Sequence, residues 1–419
     1  MVSRTLLRGG GLVVASTAVW QCSNFLFNAA GARFLGPSQY GALAASVSLL
    51  YLVGPVFVAI QTVASREATS LEAAGEPGQL RRRMERSGAW VGTASVLLAA
   101  AVIALSPRIS AFLHLASSRS LILGALALPL LALTHLQRGL LQGTRRFGRY
   151  AASTTVEALC KLAVALLLLG FLWRDQAAGM LAVGVAAACG LLVNTVLLRF
   201  LPREPAAAAP ARTSSRYSAT VLATLVLLAL LMSDDTLAAK RYLDPHAAGV
   251  YASVSVVGKI VFFATSALSF FLFPFFSARH EVGRDGRARL TAAIALIAGA
   301  SCSLTLLFFV APRVVVAALL GTAYAQVGRY LGWMGIAFGL YAVVYLVAMY
   351  LLAQRRANVV AVLALVALAQ LLAFSRFHAS ISQLIDVLIA AFGAAIVVLA
   401  GAALLGRPRL PRPAVRGPR

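Results

Sequence analysis

Five charged side chains stand inside stretches that are otherwise almost wholly apolar: Glu157 and Lys161, Asp234 and Asp235, and Lys259. An ionised group in an apolar medium is costly unless it is paired or in use, so each is a candidate for chemistry. Lys259 lies ten residues into the apolar run that opens near residue 249, with Ser255 and Phe262 beside it. At 1.5 Å per residue that places it ~15 Å deep, near the middle of a bilayer. There it either binds an anion in a central cavity or pairs with a carboxylate on another helix. Lys161 follows Glu157 by four residues, the spacing of a helix ion pair, so it either neutralises Glu157 or lines the same cavity. Asp234 and Asp235 point about 100° apart on a helix and so do different things. A carboxyl group in a dry setting holds its proton, which suits ion coupling. The rival role for Asp235 is a salt bridge to Lys240, Arg241 or Lys259. Gln21, Asn24 and Asn28 form one stripe at i, i+3 and i+7. Their amides both donate and accept, which suits sugar hydroxyls or bonds between helices.

The elements that position these groups follow from composition. The chain has 419 residues, 60% of them hydrophobic and 12% charged, with a mean hydropathy of +0.86. Too few polar residues are present to cover a soluble surface. Apolar runs of ~20 residues recur instead, the length that spans a hydrocarbon core. Strand-like alternation is absent, so the runs predict helices and not a β-barrel. The fold class is an all-α integral membrane protein. Helices are predicted at 10–32, 41–63, 87–106, 119–141, 152–172 and 178–200. The second set runs at 217–239, 249–277, 289–311, 326–352, 357–374 and 384–405.

A net charge of +24 first suggests nucleic acid, but the basic residues sit in short clusters between apolar runs. Twenty-six Lys and Arg fall on the side of the termini and nine on the other, with Lys161 and Lys259 inside helices. That asymmetry puts both termini in the cytoplasm and favours twelve crossings, since a missed helix would swap the sides downstream. Loops on the outer side are short and leave no room for a catalytic domain. The segments 64–86 and 201–216 read as cytoplasmic linkers. The second divides a six-helix lobe at 1–200 from another at 217–405, followed by a basic tail at 406–419. The first helix lacks a cleavage site and reads as retained. Cys22, Cys160, Cys189 and Cys302 show no paired spacing, so neither a metal site nor a disulfide framework is expected. No nucleotide, dinucleotide or hydrolase motif occurs, and neither a cofactor nor an enzymatic activity is expected.

The lobes are related in sequence. Residues 32–45 read ARFLGPSQYGALAA and residues 240–253 read KRYLDPHAAGVYAS. An ungapped offset aligns Arg33 with Arg241, Leu35 with Leu243, Pro37 with Pro245, Gly41 with Gly249 and Ala44 with Ala252. Both segments follow the first helix of their lobe and face the outer side. A parallel repeat of this kind implies a two-lobed transporter with a path between the lobes.

The stretch Arg33-Phe-Leu-Gly-Pro-Ser-Gln-Tyr-Gly41 resembles the signature after the first helix of Wzx-type polysaccharide flippases, of the multidrug/oligosaccharidyl-lipid/polysaccharide (MOP) superfamily. Asp235, ten residues before Pro245, resembles the family's seventh helix, although Asp244 stands where its second turn usually has Gly. The resemblance implies a carrier of oligosaccharide linked to undecaprenyl pyrophosphate, moved to the outer leaflet by alternating access. It implies a location in the bacterial cytoplasmic membrane. The implied partners are the lipid-linked oligosaccharide, membrane lipids and other polysaccharide-assembly proteins. Under that reading Lys259, with Lys161 and Arg66, takes the pyrophosphate. Gln21, Asn24 and Asn28 meet sugar, and Asp235 or Asp234 couples an ion. Arg33 and Arg241 flank the outer mouth. Arg66 and the mouth pair serve equally as topology anchors at helix ends. A cation-coupled drug exporter of the same fold and a membrane glycan polymerase or ligase are the rival readings.

Overall fold

A computed structural model describes residues 4–73, 77–199, 215–277, 284–354, 356 and 358–405. The described residues form helices joined by short turns. The first six are α1 (Arg4–Ala73), α2 (Pro77–Phe112), α3 (Arg119–Gly143), α4 (Phe147–Leu167), α5 (Gln176–Arg199) and α6 (Ser215–Tyr242). The others are α7 (Pro245–Ser277), α8 (Arg284–Val310), the short α9 (Pro312–Leu319), α10 (Gly328–Ala353), α11 (Asn358–Arg376) and α12 (Ile381–Leu405). Eleven of them contain a span long and apolar enough to cross a membrane.

The first span, Gly10–Leu71, has 62 residues and is in fact two crossings. Straight, it would run about 90 Å, three times a bilayer core. It breaks at Gly36, whose φ of 73° and ψ of 171° lie where only glycine sits without strain. Pro37 then opens the second limb without needing an amide partner. The repeat makes the same turn differently between α6 and α7. Asp244, the counterpart of Gly36, accepts bonds from the amides of His246 (2.9 Å) and Ala247 (3.1 Å) as an N-cap. The kinked span with the other ten gives twelve crossings, as the charge pattern predicts.

Several boundaries move. The segment 64–86 is not a linker: α1 continues to Ala73 and α2 begins at Pro77. Arg138, taken as a loop residue, lies inside α3 and is buried, and Lys240 and Arg241 belong to the last turn of α6. The linker 201–216 lies outside the described residues except for Ser215 and Arg216, which open α6, and the tail 406–419 lies outside them entirely. The helix α9 was not anticipated.

In the first lobe α1 packs on α3, α4 and α5. In the second, α10 is the central helix and packs on α7, α8 and α12. It is apolar all round, as a helix enclosed by others must be. The lobes meet where α1 packs on α6 and α7. That seam lies on the face opposite the termini, called here the far face. At its centre the repeat-related glycines touch: a Cβ on Gly41 would stand 2.8 Å from the amide nitrogen of Gly249. A Cβ on Gly249 would overlap the carbonyl oxygen of Pro37. Gly249→Ala is therefore expected to force the seam apart. Thiol labelling from the far face of a cysteine at Ala44, one turn below, should speed up, while labelling at an exposed loop position should not change.

Candidate functional site

Each lobe contains buried polar side chains, and those of the second lobe are built on its first two helices. In the second lobe α6 supplies Asp235, which is fully buried. Its partners are Tyr251, Ser255 and Lys259, spaced i, i+4 and i+8 along one face of α7. Ser255 Oγ donates to Asp235 Oδ2 at 2.6 Å and the Tyr251 hydroxyl donates at 3.3 Å. Lys259 Nζ stands 3.4 Å from Oδ1, where Thr236 Oγ1 also donates at 3.1 Å. Lys259 further lies 5.3 Å from the ring centre of Phe338 and keeps 12% of its side chain exposed. Of the two roles open to Lys259, the carboxylate pairing is present.

The repeat gives this cluster a control. The counterparts of Asp235, Tyr251 and Ser255 in the first lobe are Phe27, Leu43 and Val47. Those three pack together in one apolar cluster. The same helix–helix contact is thus apolar in one lobe and ionic in the other, so the fold does not require the charges. Buried ion pairs seldom add net stability over apolar packing.

In the first lobe Lys161 does not pair with Glu157. Glu157 turns to Arg138 of α3, at 2.7 Å, and Arg138 also donates to the Ser153 hydroxyl and carbonyl, each at 3.0 Å. Lys161 instead donates to the side-chain oxygen of Asn24 and lies over the rings of Trp20 (5.6 Å) and Phe27 (5.3 Å). Among the described residues it has no carboxylate within ion-pair distance. The predicted amide stripe is real in part. Asn28 donates to the Asn24 carbonyl at 2.8 Å and accepts from the Tyr40 hydroxyl at 3.4 Å, whereas Gln21 stands apart from both. Arg66 is exposed on α1 and joins none of these clusters.

Asp234 diverges from Asp235 as the helix geometry predicts. It accepts from Gln370 of α11 at 2.8 Å. Asp234 Oδ2 and Gln370 Oε1 are both buried and neither has a donor among the described residues.

Arg33 and Arg241 behave as a repeat pair. Arg33 reaches across the seam to the carbonyls of Ala317 (3.3 Å) and Ala318 (2.5 Å), the unpaired end of α9. Arg241 reaches the other way to His114 Nε2 at 3.1 Å and covers the Phe112 ring at 4.8 Å. An arginine only donates, so His114 Nε2 is the acceptor. His114 holds φ at 49°, in the left-handed region that histidine enters more readily than most side chains. The Tyr324 hydroxyl closes the seam further by donating to the Ala32 carbonyl at 2.9 Å. Arg138, Gln370 and His114 are site neighbours that sequence reasoning missed, and Lys240 entered the site only as a rival partner for Asp235, which pairs with Lys259 instead. Only Arg138 and Gln370 carried a signal, as polar residues within predicted helices.

A family model described as "Polysaccharide biosynthesis protein" matches residues 6–280. The chain belongs to that family. No curated protein sequence matches it significantly. Among solved structures, the lipid II flippase MurJ in an inward closed conformation is similar at a TM-score of 0.68 and 10% identity, over 94% of this chain and 87% of that one. An outward-facing multidrug resistance MATE family transporter of the MOP superfamily gives 0.63 and 12%, over 94% and 95%. A MOP superfamily transporter from Pyrococcus furiosus, described for the reverse polarity of its binding pocket, gives 0.58 and 13%, over 97% and 95%. These likenesses establish the fold: this member of the polysaccharide biosynthesis family is a multi-pass membrane protein with two six-helix lobes of the MOP type.

The two buried ion pairs predict opposite patterns. Arg138→Met alone leaves Glu157 buried and unpaired, which costs about 3–5 kcal/mol. Adding Glu157→Leu should restore most of that loss in thermal unfolding of the purified protein. Replacing Asp235 and Lys259 together by Leu and Met should leave the melting temperature equal to or above that of the parent, yet end transport.

Proposed function

We propose that this protein is a flippase for an oligosaccharide linked to a lipid pyrophosphate, working in the bacterial cytoplasmic membrane with both termini in the cytoplasm. Membership of the polysaccharide biosynthesis family supports the glycan, and the MOP-type fold supports movement between two lobes. The observation that carries the reading is Lys161. Its ammonium is offered by an amide and two aromatic faces, with no carboxylate within ion-pair distance among the described residues. A pyrophosphate needs such a cation, and a sugar needs adjacent amides and apolar ring faces.

Lys161 is therefore placed ahead of Lys259 as the first contact of the phosphate. Lys259 joins when Asp235 releases it. With the termini in the cytoplasm, the far face is the outer side, and the sealed seam describes an arrangement closed outside. Lobe rocking would break the Arg33 and Arg241 contacts and expose the glycan outward. Asp234 is the better coupling group of the acidic pair, because a single carboxyl proton would supply the donor that its Oδ2 and Gln370 Oε1 both lack. Asp235 already has Lys259 as counter-ion. The cation-exporter reading is less well supported, since Asp235 is already paired with Lys259 and bonded by Ser255 and Tyr251, and Lys161 adds a cation to the other lobe.

Lys161→Ala should reduce surface glycan at least tenfold while leaving inserted protein in the membrane, and Lys161→Arg should retain part of it. Depletion of the protein, in a strain with no second flippase, should leave lipid-linked glycan accumulated on the inner leaflet. A normal distribution of that glycan between leaflets would refute the reading.

A further inference from the structure

Lys240 is the group that the account so far leaves unused. It lies in the last turn of α6 and is 4% exposed. Among the described residues its ammonium meets no carboxylate and no hydrogen-bond acceptor. The stem is covered, while Nζ is not among the fully enclosed polar atoms and keeps a narrow contact with solvent, so the charge stands at the seam without a protein partner.

Its position is the seam between the lobes. Leu237, three residues earlier on the same face of α6, packs against Ala42, Leu113, Leu115 and Leu121 of the first lobe. Arg241, the next residue, holds His114 of that lobe. The repeat supplies a comparison here too. The counterpart of Lys240 is Ala32, fully buried, whose carbonyl accepts from Tyr324. The seam closes around an alanine on one side and a lysine on the other, so closure itself does not call for the charge.

We propose that Lys240 is an anion subsite at the outer end of the path, where it takes a phosphate oxygen of the substrate as the lobes part. The direction of travel rests on the flippase reading; the subsite itself does not. While the seam is closed, Lys240 has nothing to pair with, and Arg33 and Arg241 are occupied as latches. When it opens, all three cations become available around one mouth. A phosphate group then stabilises the open arrangement, because only there does it meet Lys240 together with the released Arg33 and Arg241. The ligand class is a phosphate monoester, diester or pyrophosphate, and the alkyl and sugar parts play no role at this point.

The test uses the full chain in membranes, with Cys22, Cys160, Cys189 and Cys302 replaced by Ser and a single cysteine at Ala44. Ala44 is buried in the core that the two lobes share. A membrane-impermeant thiol reagent added outside reads opening of the seam, normalised to a cysteine at Ala379 in an exposed outer turn. Inorganic pyrophosphate should raise labelling at Ala44 by about threefold or more. Lys240→Gln should abolish that response and Lys240→Arg should keep it. If Lys240→Gln fails to accumulate, Lys240→Met keeps the volume and takes its place. An unchanged response in Lys240→Gln, no response in the parent, or an equal response to sulfate at matched ionic strength would each overturn the proposal. Glycan export is scored separately. A parent that answers pyrophosphate but moves no glycan upholds the subsite and ends the flippase reading, and a parent that moves glycan but ignores pyrophosphate does the reverse.

Discussion

Two helices can approach only as closely as their side chains allow, and the lobes of this protein depend on one such approach. Gly41 rests on Gly249, and Gly249 rests on the Pro37 carbonyl, at the point where the two halves of the repeat face each other. The other seam contacts are arranged about that point. Arg33 crosses it in one direction and Arg241 in the other. Both reach a turn that follows the third helix of the opposite lobe. Around that point the seam also buries apolar side chains of both lobes, Tyr40 and Ala44 among the core of the second lobe and Leu237 on Leu113 and Leu121 of the first. The two exchanged arginines suit it to a two-state interface, while the broad core around α10 holds the second lobe together.

The repeat also separates what the fold needs from what has been added to it. Phe27, Leu43 and Val47 show that the first two helices of a lobe pack well with apolar side chains. Asp235, Tyr251 and Ser255 occupy the matching positions and bond to one another and to Lys259, whose counterpart is Tyr51. In hydrocarbon such a substitution costs desolvation and gains little stability. The Arg138–Glu157 pair ties α3 to α4, and at the same offset its two positions are held by Leu346 and Leu365.

Much of this was legible in the sequence because hydrophobic length and charge asymmetry are long-range signals. They identified twelve crossings and a shared face for the termini. The repeat was readable because Pro37 with Pro245 and Gly41 with Gly249 serve identical backbone roles in both lobes. Partner choice was not readable. Glu157 and Lys161 have the spacing of a helix pair, yet helix packing turned the acid to Arg138 and the lysine to Asn24. Spacing along one helix says nothing about what a neighbouring helix offers. Lys240 and Arg138 were misplaced for a related reason: a basic residue near a helix end reads as a loop anchor, and only packing shows that it is covered. Charge counting also could not show that α1 runs on to Ala73 or that α2 begins at Pro77.

The central claim is that this chain moves a pyrophosphate-linked glycan between leaflets through a path lined by Lys161 and Lys259. The most direct measurement reconstitutes the purified protein in liposomes that carry a fluorescent undecaprenyl-pyrophosphate oligosaccharide. An impermeant reductant then destroys the label it can reach. With the protein present, label from both leaflets should be lost, whereas protein-free liposomes and a Lys161→Ala/Lys259→Met variant should lose only the outer-leaflet fraction. Loss of only the outer-leaflet fraction with the folded wild-type protein, under an imposed ion gradient and membrane potential, would contradict the account.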